Sequence, residues 1–157
     1  MRNNLFKLQT AILLAGTLFA WFTVYTDFKR FYNLHGSVTK ISDCVIPNPV
    51  TTACFYGAFA FLLGFIWSAS ILSKVSRSKD VAKPQRNLWY LLIAGTIFAW
   101  GNFGLEVYKF YSSEVAGKVS CSGVATDNVF LTPCFYGSAI FLSALIVSII
   151  IRKSRRI

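Results

Sequence analysis

The sequence predicts an all-α membrane protein with four transmembrane helices. Of its 157 residues, 55% are hydrophobic and only 14% are charged, whereas a soluble domain carries about 25% charged residues. The hydrophobic residues fall into four blocks, each close to the roughly 20 residues that a helix needs to cross a bilayer core. The predicted transmembrane helices are therefore 8–26, 54–72, 88–107 and 134–151.

The second half of the chain repeats the first half. The matching segments are 15–21 with 94–100 and 51–57 with 131–137. We therefore divide the chain into two two-helix repeats, residues 1–78 and residues 79–157. Both repeats start on the same side of the membrane and cross it twice, which predicts parallel repeats related by a pseudo-twofold axis along the membrane normal.

The net charge of +10 is distributed unevenly along the chain. Eleven of the 16 Lys and Arg residues lie before the first hydrophobic run, between the second and third runs, and after the fourth, where Asp80 is the only acid. The positive-inside rule then places both termini and the middle connection in the cytoplasm. These basic clusters are explained as topology determinants and contacts for anionic lipid headgroups, so we expect the bilayer as a partner and no nucleic acid.

The first and third hydrophobic runs predict helices that continue beyond the membrane. The first run begins like a secretory signal, but it lacks a small-x-small cleavage site and recurs inside the chain, so we expect it to be retained. At the outer end of each run an acid and a base stand three residues apart, Asp27 with Arg30 and Glu106 with Lys109. That spacing allows opposite charges to pair on a helix, which predicts another turn or two.

Helices two and four are predicted to start in the same way. Thr52 and Thr132 suit the N-cap position, and the residues that follow them, Ala53 and Pro133, suit the first helical position. This start places one cysteine of each repeat at the second helical position, at the outer membrane face.

The four cysteines predict two disulfides in an oxidising, extracytoplasmic compartment. Each outer connection contributes two cysteines, and three connectivities are open. The repeat favours Cys44 with Cys54 and Cys121 with Cys134. Each bond would staple an outer loop to the next helix and stabilise it by about 3 kcal/mol in the chain-entropy model.

Cys54 and Cys134 are also candidate redox residues, because a helix N-terminus favours the thiolate form of a cysteine. Four helices with two outer cysteine pairs form a plan similar to that of the quinone-linked disulfide-forming oxidases and the vitamin K epoxide reductases. Those families carry a Cys-x-x-Cys pair against the quinone pocket, whereas no two cysteines here are closer than ten positions. The redox interpretation implies a quinone as cofactor; otherwise we expect no cofactor.

The repeat is broken near the outer end of helix three. Residues 22–25 read Phe-Thr-Val-Tyr, and the matching residues 101–104 read Gly-Asn-Phe-Gly. Small residues at this depth indicate either close packing of another helix or a small pocket. The candidate pocket residues are Gly101, Asn102, Gly104, Glu106 and Asp27.

The sequence contains no motif for nucleotide binding, hydrolysis or metal coordination, so we expect no metal site. The favoured function is that of a small structural or accessory subunit, which presents two stapled outer loops to another membrane or extracytoplasmic protein, or to a second copy of itself. A membrane thiol–disulfide oxidoreductase and a small pore or transporter subunit are the alternatives. The absence of an Asn-x-Ser/Thr acceptor is compatible with a bacterial inner membrane.

Overall fold

The computed structural model describes residues 2–36, 48–77, 80–112 and 126–154, and these residues form an all-helical bundle. Its long helices are α1 (Arg2–His35), α2 (Ala53–Ser76), α3 (Ala82–Ser112) and α4 (Pro133–Lys153). All four are long and apolar enough to span a membrane. The prediction of four membrane-length helices in an integral membrane bundle is therefore confirmed, while the two-repeat organisation and the orientation of the termini stay predictions.

A short 3₁₀ turn precedes both α2 and α4, which the sequence analysis did not predict. These turns span Pro49–Thr51 and Val129–Leu131. Asn48 and Asn128 cap them, since each asparagine side chain accepts a hydrogen bond from the backbone N–H two residues later. The chain therefore enters α2 and α4 in the same local conformation, 80 residues apart.

The four helices pack in the order α1, α2, α3, α4 around the bundle. Each helix packs on its two neighbours, and α2 also meets α4 across the centre, whereas the described backbones of α1 and α3 stay further apart. We call the end where α2 and α4 begin the cysteine end, because it holds Cys54 and Cys134. The opposite end, where α1 and α3 begin, is the basic end.

Two stacked phenylalanine rings lie at the centre of the bundle. One belongs to the helix pair α1/α2 and the other to the helix pair α3/α4. The rings of Phe61 on α2 and Phe141 on α4 lie 4.0 Å apart with an angle of 28° between their planes. Each ring also packs on a glycine of the neighbouring helix, Phe61 on Gly16 of α1 and Phe141 on Gly95 of α3. A Cβ added at Gly95 would lie 2.6 Å from Cε1 of Phe141, so these positions require glycine.

Buried hydrogen bonds join the helices towards the basic end. Thr10 Oγ1 and Ser68 Oγ lie 2.8 Å apart and link α1 to α2. Gln85 Nε2 donates to Gln9 Oε1 at 3.1 Å and to Ser148 Oγ at 3.2 Å, which links α3 to both α1 and α4. Polar contacts of this kind hold helices together in lipid, where hydrophobicity alone drives no association between them.

Candidate functional site

The first turns of α2 and α4 bring two cysteine sulfurs together at the cysteine end. Cys54 and Cys134 follow the first residue of their helices, and their Sγ atoms lie 3.9 Å apart. A disulfide requires about 2.05 Å, so these sulfurs are in contact without being bonded to each other. Their predicted partners, Cys44 and Cys121, lie outside the described residues, so the two predicted disulfides stay predictions.

Both sulfurs line a cavity of about 60 Å³ between the helices. Residues of all four helices form its wall, and four of these residues are aromatic. These rings are Phe19, Phe61, Phe98 and Phe141. The volume exceeds the 10–15 Å³ that one water molecule needs, so a small group fits beside the sulfurs.

The polar side chains in the wall of this cavity are satisfied by their own helices. Thr23 Oγ1, Asn102 Nδ2 and Ser138 Oγ donate to backbone carbonyls of the same helix at 3.0, 2.8 and 2.8 Å. Their donors are therefore engaged, and the cavity presents a mainly apolar surface around the sulfurs. Among the described residues of this wall, the two cysteines are the groups with nucleophilic chemistry.

The five residues of the predicted outer pocket occupy different places. Asn102 lines the cavity with the sulfurs. Gly101 and Gly104 are exposed, and nothing lies within 4 Å of a Cβ added at either position. Asp27 and Glu106 are buried, but they belong to α1 and α3, which lie diagonally across the bundle from each other.

Asp27 forms the ion pair that its spacing to Arg30 predicts. Arg30 Nη2 donates to Asp27 Oδ1 at 2.8 Å, and the Asp27 side chain is only 5% exposed. The second oxygen, Oδ2, is buried and has no hydrogen-bond partner within the described ranges. The carboxyl group thus contacts a residue of its own helix. Among the described residues, it makes no hydrogen bond from α1 to α2.

Glu106, at the position that matches Asp27, contacts the neighbouring helix. The Thr132 hydroxyl has two acceptors for its one proton, the Val129 carbonyl at 2.8 Å and Glu106 Oε2 at 3.2 Å, and the contact with Glu106 links α3 to the start of α4. Thr132 occupies the predicted N-cap position but makes no side-chain cap bond. Thr52, by contrast, caps α2 as predicted, because its side chain accepts from the backbone N–H of Phe55 at 3.3 Å.

The aromatic wall around the sulfurs was not predicted, although the sequence carries a signal for it. Phe19 matches Phe98 and Phe61 matches Phe141 at the spacing of the repeat. Matching aromatic residues on both helix pairs converge when the pairs meet around a shared centre. The repeat and the apolar blocks do not state which faces of the four helices meet, so this convergence is visible only in the structure.

Comparisons of the chain with protein-family models, with curated proteins and with solved structures found no match. Among the described residues, no group of three or more His, Cys, Asp or Glu side chains could hold a metal ion. Function is therefore inferred from the geometry at the two ends of the bundle.

Proposed function

We propose that this protein is a membrane thiol–disulfide exchange protein, in which the two helix pairs pass oxidising equivalents to each other through Cys54 and Cys134. The observation that carries this proposal is the 3.9 Å separation of the two sulfurs in a mainly apolar cavity. Thiol–disulfide exchange requires one sulfur to approach another directly. At this separation the two sulfurs are close to van der Waals contact, so no other side chain stands between them.

The exchange step uses the predicted disulfide between Cys121 and Cys134. The thiolate of Cys54 attacks Cys134 Sγ, the Cys54–Cys134 bond forms, and the Cys121–Cys134 bond breaks. Cys121 leaves as a thiolate and takes up the proton that Cys54 released. The number of disulfides is unchanged, and one thiol has passed from Cys54 to Cys121. Attack of the Cys44 thiolate on Cys54 Sγ then forms the Cys44–Cys54 bond, breaks the Cys54–Cys134 bond and releases Cys134 as a thiolate that takes up the proton of Cys44, so that both thiols now belong to Cys121 and Cys134.

The proposed substrate is a dithiol on another protein at the predicted outer side. That dithiol reduces the Cys44–Cys54 disulfide, which yields one substrate disulfide and two cysteine thiols in this chain. Restoring the disulfide releases two electrons and two protons, and a quinone becomes a quinol when it accepts them. A quinone is the acceptor that the redox interpretation implies, and the surrounding bilayer can supply it; the cavity of about 60 Å³ is too small for a quinone ring, so the quinone would have to meet the cysteines from the bilayer.

Cleavage between the helix pairs tests the proposed contact. A protease site placed between Arg77 and Ala82 separates the chain into two fragments, which stay joined on a non-reducing gel only through a disulfide between them. Mild oxidation of the reduced protein should join the fragments. Replacing Cys121 should increase the joined fraction, because Cys134 loses its competing partner, and Cys54→Ser should abolish it.

Two results would contradict this function. If the fragments separate in every redox buffer, the predicted disulfides are static staples and no exchange occurs between the helix pairs. If the fragments join, but the purified protein in liposomes neither oxidises a dithiol protein nor reduces quinone in a Cys54-dependent manner, the sulfur contact has a structural role alone.

An interaction subunit is the second candidate, and the exposed face of α3 supports it. Gly101 and Gly104 leave open space on this face, and the side chains of Ile97 and Tyr108, on the same side of the helix, are 69% and 72% exposed. Small residues let the backbones of two membrane helices approach closely. A transmembrane helix of another protein, or of a second copy, would fit between these larger side chains.

Co-purification from the native membrane tests this second candidate. Gly101→Leu and Gly104→Leu should remove a partner that wild-type protein retains, because leucine fills the open space on α3. Ala15→Leu is the matched control, since Ala15 is an exposed small residue on α1. Retention of the same partner by all variants would exclude this face as the contact.

A further inference from the structure

A groove lies between the start of α3 and the end of α4 at the basic end. It consists of two cavities, of about 350 and 220 Å³, and Arg152 lines both. The first cavity is also lined by Lys83 and Arg86, and the second by Trp89, Ile149 and Lys153. We call the two cavities together the basic groove.

The basic groove carries excess positive charge. Lys83, Arg86 and Arg152 line its first cavity, where Asp80 is the acid. Asp80 Oδ1 accepts a hydrogen bond from the backbone N–H of Ala82 at 2.9 Å, so this carboxylate caps the start of α3. Within the described ranges, none of the three cations forms an ion pair with a carboxylate. The charge of the groove therefore complements an anion.

Arg152 is held in place by an aromatic ring. Its guanidinium carbon lies 4.0 Å from the centre of the Trp89 ring, a cation–π geometry. Stacking on one face leaves the edge of the guanidinium available, and that edge matches the geometry of a phosphate group. Trp89 therefore positions Arg152 as a phosphate-binding side chain.

The groove gains apolar residues along the bundle, where Trp89 and Ile149 stand beside Arg152 and Lys153 in the second cavity. Lys83 and Arg86 lie in the first turns of α3, while Trp89 and Ile149 lie further from the helix ends. A free phosphate would use only the charged part. We propose that the basic groove binds one anionic phospholipid, with its phosphate at Arg152, Lys83 and Arg86 and an acyl chain along Trp89 and Ile149. This site is independent of the proposed thiol–disulfide exchange.

The other helix pair lacks the same groove. Thr10 stands at the position that matches Trp89, and Leu72 at the position that matches Arg152. Thr10 is instead engaged in hydrogen bonds to Ser68 and to the Phe6 carbonyl. Among the described residues, the α1/α2 pair therefore does not repeat the stacking of Arg152 on Trp89 that marks the α3/α4 side.

Native mass spectrometry of the purified full chain tests this site. Wild-type protein should retain one phosphatidylglycerol in a saturable manner and should not retain phosphatidylcholine. Arg152→Leu, which introduces the residue of the other helix pair, should weaken phosphatidylglycerol binding about tenfold. Lys74→Leu is the matched control, because it removes one exposed cation from the end of α2 and should leave binding unchanged.

Two further measurements distinguish a phospholipid site from a phosphate site and from diffuse attraction. Inorganic phosphate at millimolar concentration should not displace the lipid; equal displacement would mean that the site takes free phosphate. Equal weakening by Arg152→Leu and Lys74→Leu would mean diffuse attraction and would overturn the proposal. If Arg152→Leu does not fold, a double change of Lys83 and Arg86 to Gln alters exposed side chains alone, and unchanged lipid binding in that variant would also overturn it.

Discussion

The helix pairs α1/α2 and α3/α4 use the same contact at the centre of the bundle and different contacts at its ends. In each pair a phenylalanine packs on a glycine of the partner helix, Phe61 on Gly16 and Phe141 on Gly95. The two rings stack on each other and join the pairs. Residues at matching positions of the two helix pairs therefore form the centre of the bundle, where each pair packs on the other.

At the cysteine end, a small difference in sequence changes which residues are in contact. Asp27 pairs with Arg30 on its own helix, whereas Glu106 accepts from Thr132 at the start of the next helix. Glutamate is one methylene longer than aspartate, so its carboxyl group reaches further. The two helix pairs therefore have the same contact at the centre of the bundle and different contacts at its ends.

The largest expected effect concerns the shared centre. Gly95→Ala and Gly16→Ala should each lower the free energy of unfolding by about 1–3 kcal/mol, because the added methyl group overlaps a stacked ring. Gly101→Ala, in open space on the same helix as Gly95, should be neutral or stabilising by up to about 1 kcal/mol, because alanine favours helix. Thermal unfolding in detergent micelles measures these differences.

Equal effects at the buried and the exposed glycines would show that the stacked rings accommodate the methyl group. The centre would then be less tightly specified than the distances indicate, and the two helix pairs would be joined by other contacts.

A smaller effect should separate the two threonines at the cysteine end. Thr132→Val removes a hydroxyl that has the Val129 carbonyl and Glu106 Oε2 as acceptors, and should cost about 1–2 kcal/mol. Thr52→Val removes a hydroxyl that donates to the Pro49 carbonyl and accepts the N-cap bond from Phe55, and should cost about 1 kcal/mol. Denaturant unfolding of both variants measures the two losses. A larger loss for Thr52→Val would mean that the link from Glu106 to Thr132 contributes little to stability.

The smallest expected effect concerns the basic end. In lipid-free detergent, Arg152→Leu should lower the free energy of unfolding by about 0.5–1 kcal/mol, because it removes the cation over Trp89. Lys74→Leu should change it by less than about 0.5 kcal/mol, the range for a surface substitution without special contacts. Tryptophan fluorescence should also shift in Arg152→Leu alone. A shift of equal size in both variants would argue against a specific stacking contact.

The helices could be predicted from the sequence because each depends on a local property. Apolar runs of membrane length gave all four helices, and the threonines before Cys54 and Cys134 marked the starts of α2 and α4. The 3₁₀ turns were missed because asparagine caps at residues 48 and 128 are short signals inside irregular segments.

The candidate site depends on contacts between helices, which the sequence pattern does not state. Cysteines within one connection suggested pairing inside each repeat, whereas the structure brings Cys54 and Cys134 from different helix pairs into contact. Asn102 was placed in a pocket with two glycines that in fact point to open space. Which faces of four similar helices meet is decided by packing over the whole bundle.

Helices α1 and α3 extend well beyond the level of the two sulfurs at the cysteine end. Thr23 and Asn102 lie at the level of the sulfurs, since they line the same cavity, and the helices continue from there to His35 and Ser112. At 1.5 Å per residue, α1 extends about 18 Å and α3 about 15 Å further. The two sulfurs therefore lie about 15–18 Å below the ends of these helices, and a partner in the proposed exchange would have to cross that distance to reach them.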